Sequence, residues 1–171
     1  MFMVKENLVQ KEKLEKLYKI VKKLFGFVPP QTKLLGNIEA DYLEDYITMV
    51  MRIIKQKRIN RELFTFLRLH MAFKENYDFC KNYNTDILLK NGYKQKLLNG
   101  VIKDIKNVPF DKEHKALAKF ALKAIYKPKE CKKEDFEKLY NLGWNQKEVF
   151  DVVEHIGALL KNGRILEAYS I

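Results

Sequence analysis

Apolar residues recur at helical spacing along almost the whole chain, and no run alternates in the period-two pattern of a half-buried strand. Leu14, Leu17, Tyr18, Val21 and Phe25 fall on one face and stop before Gly26, which predicts a first helix over about residues 5 to 25. Val28, Pro29 and Pro30 predict an extended connector, because proline disfavours the helical region for the residue before it. A second apolar face, Tyr42, Tyr46, Met49, Val50 and Ile53, spans about Ile38 to Lys55. Asn60 is the natural N-cap of a helix carrying Leu63, Phe64, Leu67 and Met71. From about Tyr77 to Lys90 the spacing turns Phe79, Tyr83, Ile87 and Leu88 inward and stops at Gly92. Asp111 caps a segment with Leu117, Phe120, Ala121, Ala124 and Ile125, and Asn145 with Glu148 reads as a capping box before the last long helix. The expected fold class is all-α, one helical domain over residues 1–171 with about seven to nine helices.

The second half repeats itself. Gly92-Tyr93-Lys94-Gln95-Lys96-Leu97-Leu98 matches Gly143-Trp144-Asn145-Gln146-Lys147-Glu148-Val149 at an offset of 51, and the register continues through Val101 and Val152, Ile102 and Val153, and Ile105 and Ile156. Leu88 pairs with Leu139 upstream, and the same offset sets Cys80 over Cys131 and Asn84 over Asp135. The repeat units cover about residues 77–106 and 132–160 as two helical hairpins. Gly followed by an aromatic and a polar residue is also simply a good helix-to-helix turn, and local chemistry alone leaves both readings open.

Composition narrows the function classes. With 47% hydrophobic residues, 7 Gly and 4 Pro, the chain can bury a core and is neither collagenous nor linker-like. No apolar run approaches the roughly 18 residues of a membrane span, and Lys5, Glu6, Lys11, Glu12 and Lys13 stand where a signal peptide would be apolar, so no membrane association and a cytoplasmic location are expected. Cys80 and Cys131 form no CxxC pair, and His70, His114 and His155 share no ligand spacing, so neither a metal nor a cofactor is expected. The net charge of +11 raises a basic nucleic-acid-binding module as one class, most visibly at Arg52, Lys55, Lys57, Arg58 and Arg61 with Arg68 further on. The 28 Lys and 5 Arg are, however, spread along every helix among acidic residues, as on solvated faces, which argues against nucleic acid as the partner.

The run Asn76-Tyr77-Asp78-Phe79-Cys80-Lys81-Asn82-Tyr83-Asn84, continuing through Leu88 to Gly92, resembles the signature of the alkylhydroperoxidase D-like and carboxymuconolactone decarboxylase superfamily. Redox members of that superfamily carry Asn-Cys-x-x-Cys-x-x-x-His, then Leu and Gly. Laid on this pattern, Asn76 and Gly92 match, Cys80 is the second Cys, Tyr77 replaces the first, and Asn84 replaces the His. The Glu that precedes the first Cys by twelve residues in redox members is Thr65 here, with Glu62 one helical turn out of register. The likeness extends over about residues 25 to 170, through the second Gly-led helix at Gly143 and the closing Asn162-Gly163-Arg164.

The resemblance implies the alkylhydroperoxidase D-like fold and a homo-oligomer (dimer, trimer or hexamer), with residues 42 to 53 as a possible interface. Paired thiols three apart and a nearby His make the dithiol chemistry of redox members work. With Tyr77, Asn84 and Thr65 in place, that mechanism cannot run, so the expected function is a binding or scaffold module of this fold with a small-molecule ligand. The alternative is a peroxidase-related antioxidant enzyme with Cys80 as its single reactive thiol, activated by the helix start and by Lys81, in a pocket of Tyr77, Asn84 and His70. Cys80 between Phe79 and Tyr83 also reads as plain packing, and Cys131, among lysines, as a surface thiol.

Overall fold

The computed structural model describes residues 10–170. These residues hold nine α-helices, two single 3-10 turns and no strand. Residues 5 to 9 of the expected first helix lie outside the described range.

Two compact units divide the described residues, one running to Lys55 and resuming at Asn162, the other Gln56–Lys161. The first unit is built on α1 (Lys11–Phe25), α2 (Pro30–Ile38) and α3 (Ala40–Ile54). Leu14, Leu17 and Val21 of α1 and Ala40, Leu43 and Ile47 of α3 form its core, with Leu35 and Met51 packed against it. The expected face of α3 is therefore rotated by about one residue: Tyr42 is exposed and Leu43 fully buried. Where an extended connector was expected, Pro30 begins α2. Pro29 is extended (φ −62°, ψ 151°), and Pro30 sits at the first helical position, where its missing N–H has no bond to make. Glu39, at φ −162° and ψ 133°, separates α2 from α3, so the helix expected to start at Ile38 begins at Ala40.

In the second unit, α4 (Arg61–Lys74) starts at Asn60, whose side chain accepts from the Glu62 N–H at 2.8 Å. Residues Leu63 to Leu67, then Leu69, Met71 and Ala72, are all buried, so the helix is enclosed on nearly every side. It packs against α5 (Asp78–Lys90), α6 (Gln95–Lys103) and α7 (Lys112–Tyr126). Phe66 anchors this contact edge to face with Tyr93 and Phe110, at 5.0 and 5.7 Å between ring centres. The Asp111 cap forms, its carboxylate accepting from the His114 N–H at 2.8 Å.

The two Gly-led turns share their geometry. Helix α5 ends at Lys90 and α8 (Lys133–Asn141) at Asn141; α6 begins at Gln95 and α9 (Gln146–Ala168) at Gln146, each pair 51 apart. Both turns are left-handed at glycine, φ 88° at Gly92 and 90° at Gly143, and the next aromatic N–H returns to the buried leucine carbonyl, Tyr93 to Leu88 and Trp144 to Leu139, at 3.1 Å in each. A left-handed residue closing a helix with a back-bond of this span satisfies carbonyls the helix leaves free, and glycine takes it without a Cβ clash. The α9 capping box is complete: Asn145 Oδ1 accepts from the Glu148 N–H and Glu148 Oε2 from the Asn145 N–H, both at 2.9 Å.

Candidate functional site

The candidate site lies in the second unit and grows from the α4–α5 connection. Asn76 adopts a left-handed φ of 62°, which asparagine tolerates better than most residues. Tyr77 follows as the extended N-cap of α5, its N–H donating to the Ala72 carbonyl at 2.9 Å. Its ring is buried and its hydroxyl donates to the Leu160 carbonyl at 3.4 Å. Cys80 lies in the first turn of α5, half-buried. One turn on, Asn84 is 1% exposed. Its Nδ2 donates to the Cys80 carbonyl at 2.7 Å and its Oδ1 accepts from Arg68 Nε at 3.0 Å.

Arg68 is the hub. Besides Asn84, its guanidinium donates to Thr65 Oγ1 at 2.8 Å and meets His155 Nε2 at 3.0 Å. Arginine stays protonated, so His155 Nε2 accepts and the neutral ring carries its proton on Nδ1. Burial, with the Arg68 charge second, lowers the His155 pKa to about 3. The imidazole also packs edge to face on Phe64, 5.0 Å between centres at 80°.

The same two influences oppose each other at Cys80. Burial pushes its thiol pKa up, and the Arg68 charge draws it back only in part. Lys81, expected beside the thiol, is turned elsewhere: its ammonium binds Asp78 at 2.8 Å and the Asn76 side-chain oxygen. Burial thus works against the ionisation expected of Cys80.

Thr65, Cys80 and Asn84 thus join one network through Arg68, with Tyr77 at the head of the same helix. His70 lies two residues from Arg68, about 200° around α4, and its Nδ1 sits 2.9 Å from the Val101 carbonyl. Glu62 is directed to the α5–α6 turn, where it accepts from Asn91 Nδ2 at 3.0 Å and from the Tyr93 hydroxyl. Phe79, expected inside, is exposed and stacks on Tyr83; α5 instead buries Asn84, whose amide is satisfied at both ends. Arg68 and His155 are the residues the sequence reading missed. Their signals were an arginine between Leu67 and Leu69 in an otherwise apolar helix and a histidine beside Ile156, three residues after Val152.

Two basic residues of the proposed surface patch are engaged inside the unit. Arg58 lies 5.4 Å from the Trp144 ring centre and donates to Gly143 O and Glu148 at 2.8 and 3.1 Å, while Arg68 sits in the cluster above. Both cysteines are free thiols, and Cys131 is half-buried where a surface position was expected. Among the described residues, no group of three His, Cys, Asp or Glu side chains could hold a metal, and no helix is long and apolar enough to cross a membrane.

No family model and no curated protein sequence matches the chain. Solved structures do. An uncharacterized peroxidase-related protein from a Silicibacter species superposes with a TM-score of 0.76 at 16% identity, over 94% of this chain and 84% of that one. The alkylhydroperoxidase AhpD core of an uncharacterized peroxidase-related protein from Ralstonia eutropha gives 0.76 at 17% identity, over 98% and 88%. The chain has the AhpD-like fold. A cysteine-to-alanine variant of the debrominase Bmp8, in complex with 2,3,4-tribromopyrrole, shares the AhpD-like fold with a TM-score of 0.74 at 16% identity, over 99% and 90%. The all-α expectation, down to the type of fold, therefore holds.

Proposed function

We propose that this chain is a member of the alkylhydroperoxidase D-like superfamily without its dithiol chemistry, acting as a cytoplasmic, homo-oligomeric binding or scaffold module. The observation that carries this reading is the Arg68 network. Where redox members of the superfamily place a Cys, a His and a Glu, this chain has Tyr77, Asn84 and Thr65. Asn84 and Thr65 are held by the Arg68 guanidinium, and the Tyr77 hydroxyl is held by a main-chain carbonyl. The motif thiol that remains, Cys80, is held toward its protonated form by burial. A small-molecule ligand suits a module of this kind, and the tribromopyrrole complex of one structural neighbour is an instance of a protein of this fold holding one.

The second reading, a single-thiol peroxidase, draws support from the Arg68 charge acting on Cys80. Alkylation of native protein against pH separates the two, with Cys131→Ser as background and hydrogen peroxide added to a parallel sample. The module reading expects Cys80 to stay unreactive at pH 7 until the protein unfolds. Rapid alkylation at pH 7 with sulfenic acid formation would overturn it in favour of the peroxidase.

A further inference from the structure

The second Gly-led hairpin borders a cavity that the Arg68 network does not use. In the first, Asn84 is buried and tied to Arg68 and the Cys80 carbonyl. Its counterpart 51 residues on, Asp135, turns away, accepting from the Lys132 N–H at 2.9 Å and pairing with Lys123 at 2.5 Å. Beside it lies an open cavity of about 850 Å³, bordered by α7, α8 and the start of α9. Phe120, Phe136 and Tyr140 make a continuous aromatic wall, with 4.8 Å between the first two ring centres at 68° and 6.5 Å between the second two. Phe150, 61% exposed, also lines it. Cys131, the counterpart of Cys80, belongs to the lining too.

Volume and lining fit a small molecule, since such sites occupy roughly 300–1,000 Å³ with mostly apolar walls and a few polar groups. The polar side chains of the lining are Asn145, Gln146 and Lys147. The charges nearby are matched within the protein, Lys147 by Asp151 at 2.6 Å and Lys123 by Asp135, so the cavity offers ring faces and amides more than an unbalanced charge. We propose that this cavity binds a flat, uncharged aromatic molecule with one polar end, at a site separate from the Arg68 network and independent of how that network is read. The site buries ring faces that are otherwise left in water, and the amides of Asn145 and Gln146 orient the polar end.

The test uses the full chain with Nile red, a flat uncharged dye, and N-ethylmaleimide, locating the alkylated thiol by mass spectrometry. Saturable binding of one dye per chain is expected, with Cys131 alkylation slowed at least fivefold at saturation. Phe150→Glu, at an exposed position, should weaken the dye at least tenfold, while Phe79→Glu, an exposed aromatic outside the cavity, leaves it unchanged. Helical circular dichroism checks that each variant folds, and Val153→Trp, which fills the cavity, should abolish binding in the same way. The proposal is overturned if the dye leaves the Cys131 rate unaltered or binds both cavity variants as it does the wild type. It is equally overturned if light scattering shows self-association that shields Cys131 without dye and that Phe150→Glu disrupts, because the occupant is then a second copy of the chain.

Discussion

Lowering the pH should destabilise this protein through one side chain, His155. Its folded pKa of about 3 lies below the ordinary value of 6.5, because burial denies the imidazolium its water and, second, because Arg68 already places a cation beside it. Between these values the unfolded chain binds a proton that the folded chain refuses, so His155 contributes stability that is present in full above about pH 7 and lost as the pH falls toward 3. From pH 7 to pH 5 the loss works out at about 2 kcal/mol, approaching the limiting slope of about 1.4 kcal/mol per pH unit. With a urea dependence of about 2 kcal/mol per molar, that moves the midpoint by about 1 M. The assay is urea unfolding at pH 7 and pH 5 for wild type and His155→Gln, which keeps an acceptor for Arg68 and cannot titrate. The variant is less stable at pH 7, and its own pH 7 to pH 5 difference should be smaller than that of the wild type by about 2 kcal/mol. Equal pH sensitivity in both proteins would refute the burial argument.

Three further outcomes follow from the same structure. Asn84→Leu takes the side-chain acceptor from Arg68 Nε and should cost about 2–3 kcal/mol in chemical denaturation, part of which Arg68→Met recovers in the double variant, so a strictly additive cycle would count against the network. Gly92→Ala, at φ 88°, should destabilise by about 1 kcal/mol, whereas Gly100→Ala, inside α6 with its nearest neighbour at 3.7 Å, should stabilise by up to about 1 kcal/mol; thermal midpoints moving in the same direction would contradict the turn geometry. Leu139→Ala, at the buried closing leucine of α8, should cost about 2–5 kcal/mol by denaturant titration.

How far the sequence could be read depended on what each residue's role required. Caps and stops were legible because they are local: Asn60, Asp111 and the Asn145–Glu148 box each reach an N–H two or three residues away. Glycines 92 and 143 were legible as helix stops for the same reason. Helix α2 was missed because its start depends on where a proline falls inside the helix rather than on apolar spacing. The face of α5 was misread because a polar residue, Asn84, is buried there and an aromatic, Phe79, is not. Which polar residue is buried depends on a partner in another helix, and nothing in the α5 sequence announces Arg68. The motif supplied three positions of the candidate site, Tyr77, Cys80 and Asn84. Arg68 and His155 are 87 positions apart, a separation at which spacing carries no information.

The way the second unit is fastened also bears on how it is made. Its first residues are fixed by the α8–α9 turn and the start of α9: Gln56 binds Asp151, and Arg58 reaches Gly143, Trp144 and Glu148, 85 to 95 positions downstream. During synthesis the start of this unit leaves the ribosome long before any of these partners exist. The α4–α5 pair can form early from neighbouring sequence, but the Arg58 latch closes only once α9 has begun to emerge. Until then Trp144 is absent and Arg58 is solvated, so completion of this unit is a late event, timed by translation of the α8–α9 turn.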